Sequence, residues 1–532
     1  MADGITQTGS PGTVERQWSP YVSAALLERL ASLAAAASEK TIAIEAPFTG
    51  EVLGHVSRGV PADVATACAT ARDAQQEWAR RSFAARAAIM VRFHDLLIDN
   101  AAEILDIIQL ESGKARRHAF EEVLDVAIQA RYYAHAAAAF LKPRRRQGAL
   151  PLLTKAWEYH HPRGVIGIIA PWNYPLSLVA GDAIPALMAG NAVVIKPDAL
   201  TPFTTLWAAR LLEEAGLPRG LVQVVTGRGA ELGEPLVDGA DYLMFTGSTA
   251  TGRKVAAMAA ERLKDSSMEL GGKNALLVLP DASLRRAVPG ALRGITTSTG
   301  QLCISIERVY VHAAVYDVFA TRLAESLRAV RLGASLTFLE DVGSLIGADQ
   351  LAKVQGHVAD AVGKGAEVLA GGKARPDLGP YFFEPTLLAG VTDEMDLCRA
   401  ETFGPVAAVY RCDSVQEMVD RANDSDYGLN ASIWTRDTRF GRELATRVQT
   451  GTVNINEAYS ATWASASPMG GLKASGLGRR HGRQGITKFT EPQTVAVELL
   501  LAIDTPPFLT HQQYATAMKS ALRLLKHVPF LR

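Results

Sequence analysis

A cysteine acts as a nucleophile when a base can take its proton and donors can hold the charge that forms on the group it attacks. Cys303, at the end of Gly300-Gln301-Leu302-Cys303, is one candidate. With Leu302 and Ile304 beside it, it also reads as a core filler, the commoner fate of a lone cysteine. Upstream, Glu269-Leu270-Gly271-Gly272-Lys273-Asn274 sets a carboxylate before two glycines. Apolar Met268 and Leu270 flank Glu269, so burial and a raised pKa are expected. A solvated surface charge is the other reading.

Further upstream, Pro171-Trp172-Asn173-Tyr174-Pro175 brackets an amide between prolines at the end of an apolar run. It is either a rigid turn or a donor pointed into a cleft. Lys196-Pro197 ends another apolar run, and proline cannot continue a central strand. That lysine reads as solvated, or as a donor to a ribose or phosphate. Phe245 to Gly252 closes a strand and opens a helix, with Gly247 at the junction. Glycine allows close backbone approach there, and a helix N-terminus favours a phosphate. The run is neither G-x-G-x-x-G nor a Walker loop.

The elements that position these residues follow from periodicity. Val165–Ala170, Ala192–Lys196, Leu221–Thr226 and Tyr242–Thr246 read as buried strands, with helices over Pro202–Ala215 and Thr249–Arg262 between them. Repeated β-α alternation predicts a doubly wound parallel sheet that binds ligands at the strand carboxyl ends. A second alternating region runs from Ala275 to about Ile455. Tyr21 to about Lys142 reads as mostly helical, including Asp63–Trp78 and Ala84–Leu110. Arg144, Arg145 and Arg146 read as a solvated connector, and Met1 to Pro20 as a disordered tail.

Composition bounds the rest. The 532 residues exceed one ordinary core. The 55 basic and 55 acidic residues cancel, which gives no electrostatic reason to bind nucleic acid. Four cysteines, Cys68, Cys303, Cys398 and Cys412, form neither a disulfide framework nor a metal-site spacing, so no metal and a reducing, cytoplasmic compartment are expected. The N-terminus lacks the apolar core of a signal peptide. No apolar run is long enough to span a membrane.

Taken in order, six segments resemble the aldehyde dehydrogenase superfamily from about Thr41 to Glu498. They are Ala170-Pro171-Trp172-Asn173, Phe245 to Gly252, Glu269 to Asn274, Gly300 to Cys303, Glu401-Thr402-Phe403-Gly404-Pro405, and Pro468-Met469-Gly470-Gly471 to Gly478. Within it the chain is similar to the bacterial NADP+ succinate-semialdehyde dehydrogenase group, through Gln301 to Arg308 and Gly478-Arg479-Arg480-His481-Gly482. The resemblance implies an α/β protein. Residues 21–150 and 163–272 would form a doubly wound dinucleotide-binding domain and 273–470 an α/β catalytic domain. Residues 151–162 and 485–500 would form a small β bridging domain that pairs subunits, as a homodimer or homotetramer.

The resemblance also implies roles. Cys303 attacks the aldehyde, Asn173 and the Cys303 N–H hold the oxyanion, and Glu269 activates the water that hydrolyses the thioester. Glu401 and Phe403 position the nicotinamide end of the dinucleotide. Trp172, Lys196, Asp198, Ala199, Gly247, Ser248 and Leu270 line its site, and Tyr174, Trp463 and Met469 the substrate funnel. A coenzyme A-acylating relative would lack Glu269. A retired nucleotide-binding scaffold would have lost Cys303, Asn173 or Glu269.

Two departures bear on specificity. NAD-preferring members commonly place a glutamate three residues after the motif lysine. Ala199 stands there, so NADP is expected to be preferred, with NAD accepted. Some members hold a substrate carboxylate with arginines at the positions of Gly181 and Thr297, so uncharged aliphatic or aromatic aldehydes are expected to compete with succinate semialdehyde. Residues 501–532 extend past the family's usual end. Tyr514, Met518, Ala521, Leu522 and Leu525 form a helical stripe, expected to pack on its own or a neighbouring subunit in preference to touching a membrane or capping the substrate tunnel, as the helix does in fatty-aldehyde relatives.

Overall fold

The computed structural model describes residues 17–148, 154–499 and 504–528. The expected tail up to residue 16, residues 151–153 of the bridging segment and residues 501–503 lie outside the described residues.

One six-stranded sheet carries the first set of motifs. Its order is Gly476–Leu477, Ser266–Glu269, Tyr242–Thr246, Val165–Ile169, Ala192–Lys196, Val222–Val224. All but the first strand run parallel. Every residue of the three central strands is buried, as the unbroken apolar runs require when helices cover both faces. From Val165–Ile169 the chain winds one way to Ala192–Lys196 and Val222–Val224. It then returns to the other side for Tyr242–Thr246 and Ser266–Glu269. The crossover direction therefore reverses between Val165–Ile169 and Tyr242–Thr246, and a cleft opens at their carboxyl ends.

A seven-stranded sheet follows in the order Glu367–Ala370, Thr386–Ala389, Val406–Cys412, Ile306–His312, Asn274–Val278, Asn430–Trp434, Thr452–Ile455. Only the first pair is antiparallel. The chain passes from one sheet to the other through Leu270-Gly271-Gly272-Lys273, between Glu269 and Asn274. Cys303 precedes Ile306–His312, next to Asn274–Val278. The two sheets thus meet where Glu269 leaves one and Cys303 enters the other.

Three local features differ from the expectations. Thr41–Glu45 and Val52–Ser57 form an antiparallel hairpin inside the stretch read as helical. The two strands are short, and the helices around them dominate the periodicity. Arg144–Gln147 is a strand, not a connector: it pairs with Thr154–Pro162, and Arg146 meets Glu158 at 2.7 Å. The strand lies at the sheet edge, and Arg145 and Arg146 remain exposed, so its backbone pairs while its cations keep their water. Gln17 to Pro20 is ordered, because Gln17 bridges Ser23 and the Ser19 hydroxyl accepts the Val22 N–H at 3.0 Å. In the helix His511–Leu525 the stripe residues Tyr514, Met518, Ala521 and Leu525 are half-buried, while Leu522 is exposed. Thr490–Glu498 pairs along its whole length with Thr154–Pro162 and forms one edge of that three-stranded sheet.

Candidate active site

Ile169 ends a strand, and Pro171 to Asn173 turn the chain across the cleft. The Asn173 amide is buried and donates to the Gln301 carbonyl at 2.9 Å. Behind it, the buried Lys114 ammonium donates to the Asn173 carbonyl and pairs with Glu122. Glu122 in turn accepts the N–H groups of Leu176 and Ser177, at 2.8 and 3.0 Å. A carboxylate there satisfies orphan donors at the start of the helix Ser177–Met188. The turn is therefore pinned from behind by an ion pair and from in front by the loop that carries the cysteine.

Cys303 follows a turn in which Ser298, Thr299 and Gly300 all take positive φ, at 50, 58 and 69°. Gly300 packs too tightly for a side chain, since a Cβ there would lie 2.1 Å from the Gly404 carbonyl oxygen. Beyond the turn, Asn274 holds the loop by donating to the carbonyls of Cys303 and Ser305, at 2.8 and 2.7 Å. Burial pushes the Cys303 thiol up to about 12, with the charges of Glu269 and Glu401 adding to the rise. The resting sulfur is a thiol and needs a base.

Glu269 is 3% exposed, and neither of its carboxylate oxygens has a hydrogen-bond partner among the described residues. Burial raises its carboxyl to about 7, against the opposing pull of Arg480 and Lys488. A group poised there accepts a proton readily near neutral pH. Glu401 is also raised to about 7, by burial and then by the charge of Glu307, and it accepts the Gly272 N–H at 2.8 Å. Phe403 takes φ of 56° and meets Trp172 edge-on, ring centroids 5.5 Å apart. Its N–H donates to Glu307, which is also the partner of buried Lys273.

Two cavities meet at this cysteine. One is lined by Trp172, Asn173, Gly247, Ser248, Glu269, Leu270, Glu401 and Phe403, together with Gln350 and Lys353. At its mouth Ser248 caps the helix Thr249–Glu261, accepting the Thr251 N–H. The other is lined by Tyr174, Trp463 and Met469, together with Glu121, Asp125, Gln129, Tyr459, Arg480 and His481. Cys303 lines both. Lys196, Asp198 and Ala199 line neither. Lys196 is buried at the end of its strand, its ammonium pKa lowered by burial. Asp198 folds back to accept the Leu200 N–H at 3.0 Å.

Sequence reasoning missed Lys114, Glu122 and Glu307, which hold the turns, and Glu121, Asp125 and Gln129, which face the second cavity. The last three recur every fourth residue in Arg116–Leu141, so they share one helix face. That spacing was the available signal.

Residues 34–495 match the aldehyde dehydrogenase family. A Mycolicibacterium smegmatis protein, named a putative succinate-semialdehyde dehydrogenase (NADP+), is 50% identical over 96% of this chain and 99% of its own length. The NAD+ complex of an aldehyde dehydrogenase from Bacillus cereus superposes with a TM-score of 0.83 at 34% identity, covering 87% of this chain and 94% of that one. A structure described as an E. coli NADP-dependent enzyme gives a TM-score of 0.83 at 33% identity over 86% of this chain and 95% of that one. With a nucleophile, an amide donor and a buried carboxylate gathered where two cavities meet, and with these likenesses over nearly its whole length, this chain belongs to the aldehyde dehydrogenase family.

Proposed function

We propose that the protein oxidises an aldehyde to its carboxylate at Cys303, with NADP+ preferred and NAD+ accepted. The observation that carries this reading is that Cys303 alone of the four cysteines lines both cavities, so one sulfur faces two partners. The cavity with Glu401 and Phe403 fits a dinucleotide. It has a helix N-terminus for a phosphate and an aromatic edge for a ring. It also has a glycine, Gly271, whose Cβ would meet Glu401 at 2.6 Å. Trp172, Gly247, Ser248, Leu270, Glu401 and Phe403 would hold it there, with Lys196, Asp198 and Ala199 at the neighbouring strand end. When bound, it supplies the acceptor for the hydride that the aldehyde carbon gives up.

The residues divide the remaining work. The Cys303 thiol loses its proton to Glu269, and the sulfur attacks the carbonyl carbon. As the C–S bond forms, the carbonyl electron pair moves to oxygen. The Asn173 amide and the Cys303 N–H hold that oxyanion. After oxidation a thioester remains on Cys303. Glu269 first releases the thiol's proton to solvent. Water then attacks the thioester as Glu269 takes one of its protons, the C–S bond breaks, Glu269 returns that proton to the leaving sulfur, and the product acid gives its own proton to solvent and leaves as the carboxylate.

The substrate reading rests on charge. The Gly181 and Thr297 positions bring no guanidinium to the pocket, and Arg480 is already paired with Asp182 at 2.6 Å. Uncharged aldehydes are therefore favoured over succinate semialdehyde, the substrate in the curated relatives' names. The NADP preference is supported by Ala199, which puts a methyl group where a carboxylate would repel a 2′-phosphate. The four unpaired cysteines agree with a reducing cytoplasm. The exposed edge Thr490–Glu498 suits pairing with a second copy in a homo-oligomer. The test is NADPH formation from hexanal, benzaldehyde and succinate semialdehyde. The reading expects kcat/KM for hexanal to equal or exceed that for succinate semialdehyde, and kcat/KM for NADP+ to exceed that for NAD+.

A further inference from the structure

Resting on that oxidation at Cys303, we propose that the far wall of the substrate pocket is a binding site for a protonated amine. The preferred substrates are then short aldehydes with an ammonium group at the other end. Glu121, Asp125 and Gln129 lie one above another on a single face of Arg116–Leu141, and all three line the pocket that contains Cys303. Together they present acceptors. Among the described residues the Glu121 carboxylate receives only the Tyr459 and Tyr174 hydroxyls, at 3.1 and 3.4 Å. One Asp125 oxygen receives the Ser177 hydroxyl and the Gln129 amide N–H.

That last bond fixes the orientation of Gln129. Its nitrogen faces Asp125, so its Oε1 is an acceptor. Gln129 is 2% exposed, and this oxygen has no partner among the described residues. A buried acceptor without a donor costs free energy, and a ligand N–H would remove that cost.

Charge makes the same point. Neither Glu121 nor Asp125 takes part in an ion pair among the described residues. Each neighbouring cation already has its own carboxylate: Lys114 pairs with Glu122, Arg293 with Glu457, and Arg480 with Asp182. Burial raises both carboxyls above their ordinary range, and the charges of Arg293 and Lys114 at Glu121 and of Arg480 at Asp125 offset only part of that rise. Tyr174, Tyr459 and Trp463 line the same pocket; Lys114 already stands over a face of Tyr174 at 3.8 Å and Arg293 over a face of Tyr459 at 4.4 Å, so the Trp463 ring is the one open to a further cation. An ammonium would meet two carboxylates and one amide oxygen, and a carboxylate tail would meet repulsion.

The experiment compares three aldehydes with NADP+: 3-aminopropanal, its uncharged isostere butanal, and succinate semialdehyde, whose carboxylate reaches one atom further. The kcat/KM ratio of 3-aminopropanal to butanal is expected to be roughly 10- to 100-fold, the worth of a charge-assisted hydrogen bond, with succinate semialdehyde lowest. The isosteric variants Glu121→Gln and Asp125→Asn should each lower that ratio by about 10-fold. Reading a ratio cancels effects shared by both substrates. 3-(Trimethylammonio)propanal keeps the charge but has no N–H, so it should fall below 3-aminopropanal. A wild-type ratio at or below one, or a ratio that neither variant moves, overturns the amine site and leaves the oxidation standing. No NADPH from any of these aldehydes overturns the oxidation itself.

Discussion

The side-chain amide of Asn173 rests on the carbonyl oxygen of Gln301, two residues before Cys303, at 2.9 Å. One amide hydrogen thus holds the loop that carries Cys303, and the other is the one that the proposed oxyanion role would use. Replacing Asn173 with alanine should lower kcat by roughly 10²- to 10³-fold, the usual loss for one oxyanion donor. Steady-state NADPH formation measures this, and a loss under 10-fold would remove Asn173 from the oxyanion role.

The ion pair behind that turn should matter for stability as well as rate. Glu122→Gln leaves the Lys114 ammonium buried without its carboxylate and weakens the acceptor for the Leu176 and Ser177 N–H groups. Breaking one side of a buried pair costs on the order of 3–5 kcal/mol. A clear fall in the unfolding midpoint, by heat or denaturant, is expected together with a lower kcat. An unchanged midpoint would show that the pair does not hold the turn.

The protonation of Glu269 should set the acid limb of turnover. Its carboxyl titrates at about 7, and only the carboxylate can take a proton. Steady-state rate should therefore rise with pH through about 7 and fall as pH drops below it. In Glu269→Gln that limb should disappear from the residual rate. An identical limb in the variant would assign it to another group, with Glu401, also near 7, the first alternative.

The dinucleotide preference rests on one side chain. Ala199→Glu should swing the kcat/KM ratio of NADP+ to NAD+ toward NAD+ by roughly 10- to 100-fold, since a like-charge contact costs about 1–3 kcal/mol. A variant with the wild-type ratio would refute this mechanism.

The parts of this site legible in the sequence are those where function is packed into short runs. Glu269 before two glycines, Asn173 between prolines and Cys303 before a strand each announce themselves, because a tight turn at a strand end demands unusual residues. The doubly wound sheet was legible for a related reason: strands buried on both faces leave unbroken apolar runs such as Ala192–Lys196. The substrate wall was not. Glu121, Asp125 and Gln129 sit in a helix whose other faces bury Ala, Val and Tyr. A polar stripe there looks like a solvated face until the fold brings another element over it. The same limit hid Lys114 and Glu307, whose partners Asn173 and Phe403 are distant in the chain. The Arg144–Gln147 strand was obscured because its charges suggest water while its backbone pairs with Thr154–Pro162.

The most direct measurement is the mass of the enzyme after it has reacted. Glu269→Gln, mixed with NADP+ and hexanal, should form NADPH slowly, because the thiol has lost its base, up to about one per active site and then stall, because the thioester has lost its hydrolytic base. Quenched in acid and digested, the protein should carry the hexanoyl mass on the peptide that contains Cys303, and nowhere else. An acyl group on Cys68, Cys398 or Cys412, or NADPH formed with no adduct at all, would contradict the account.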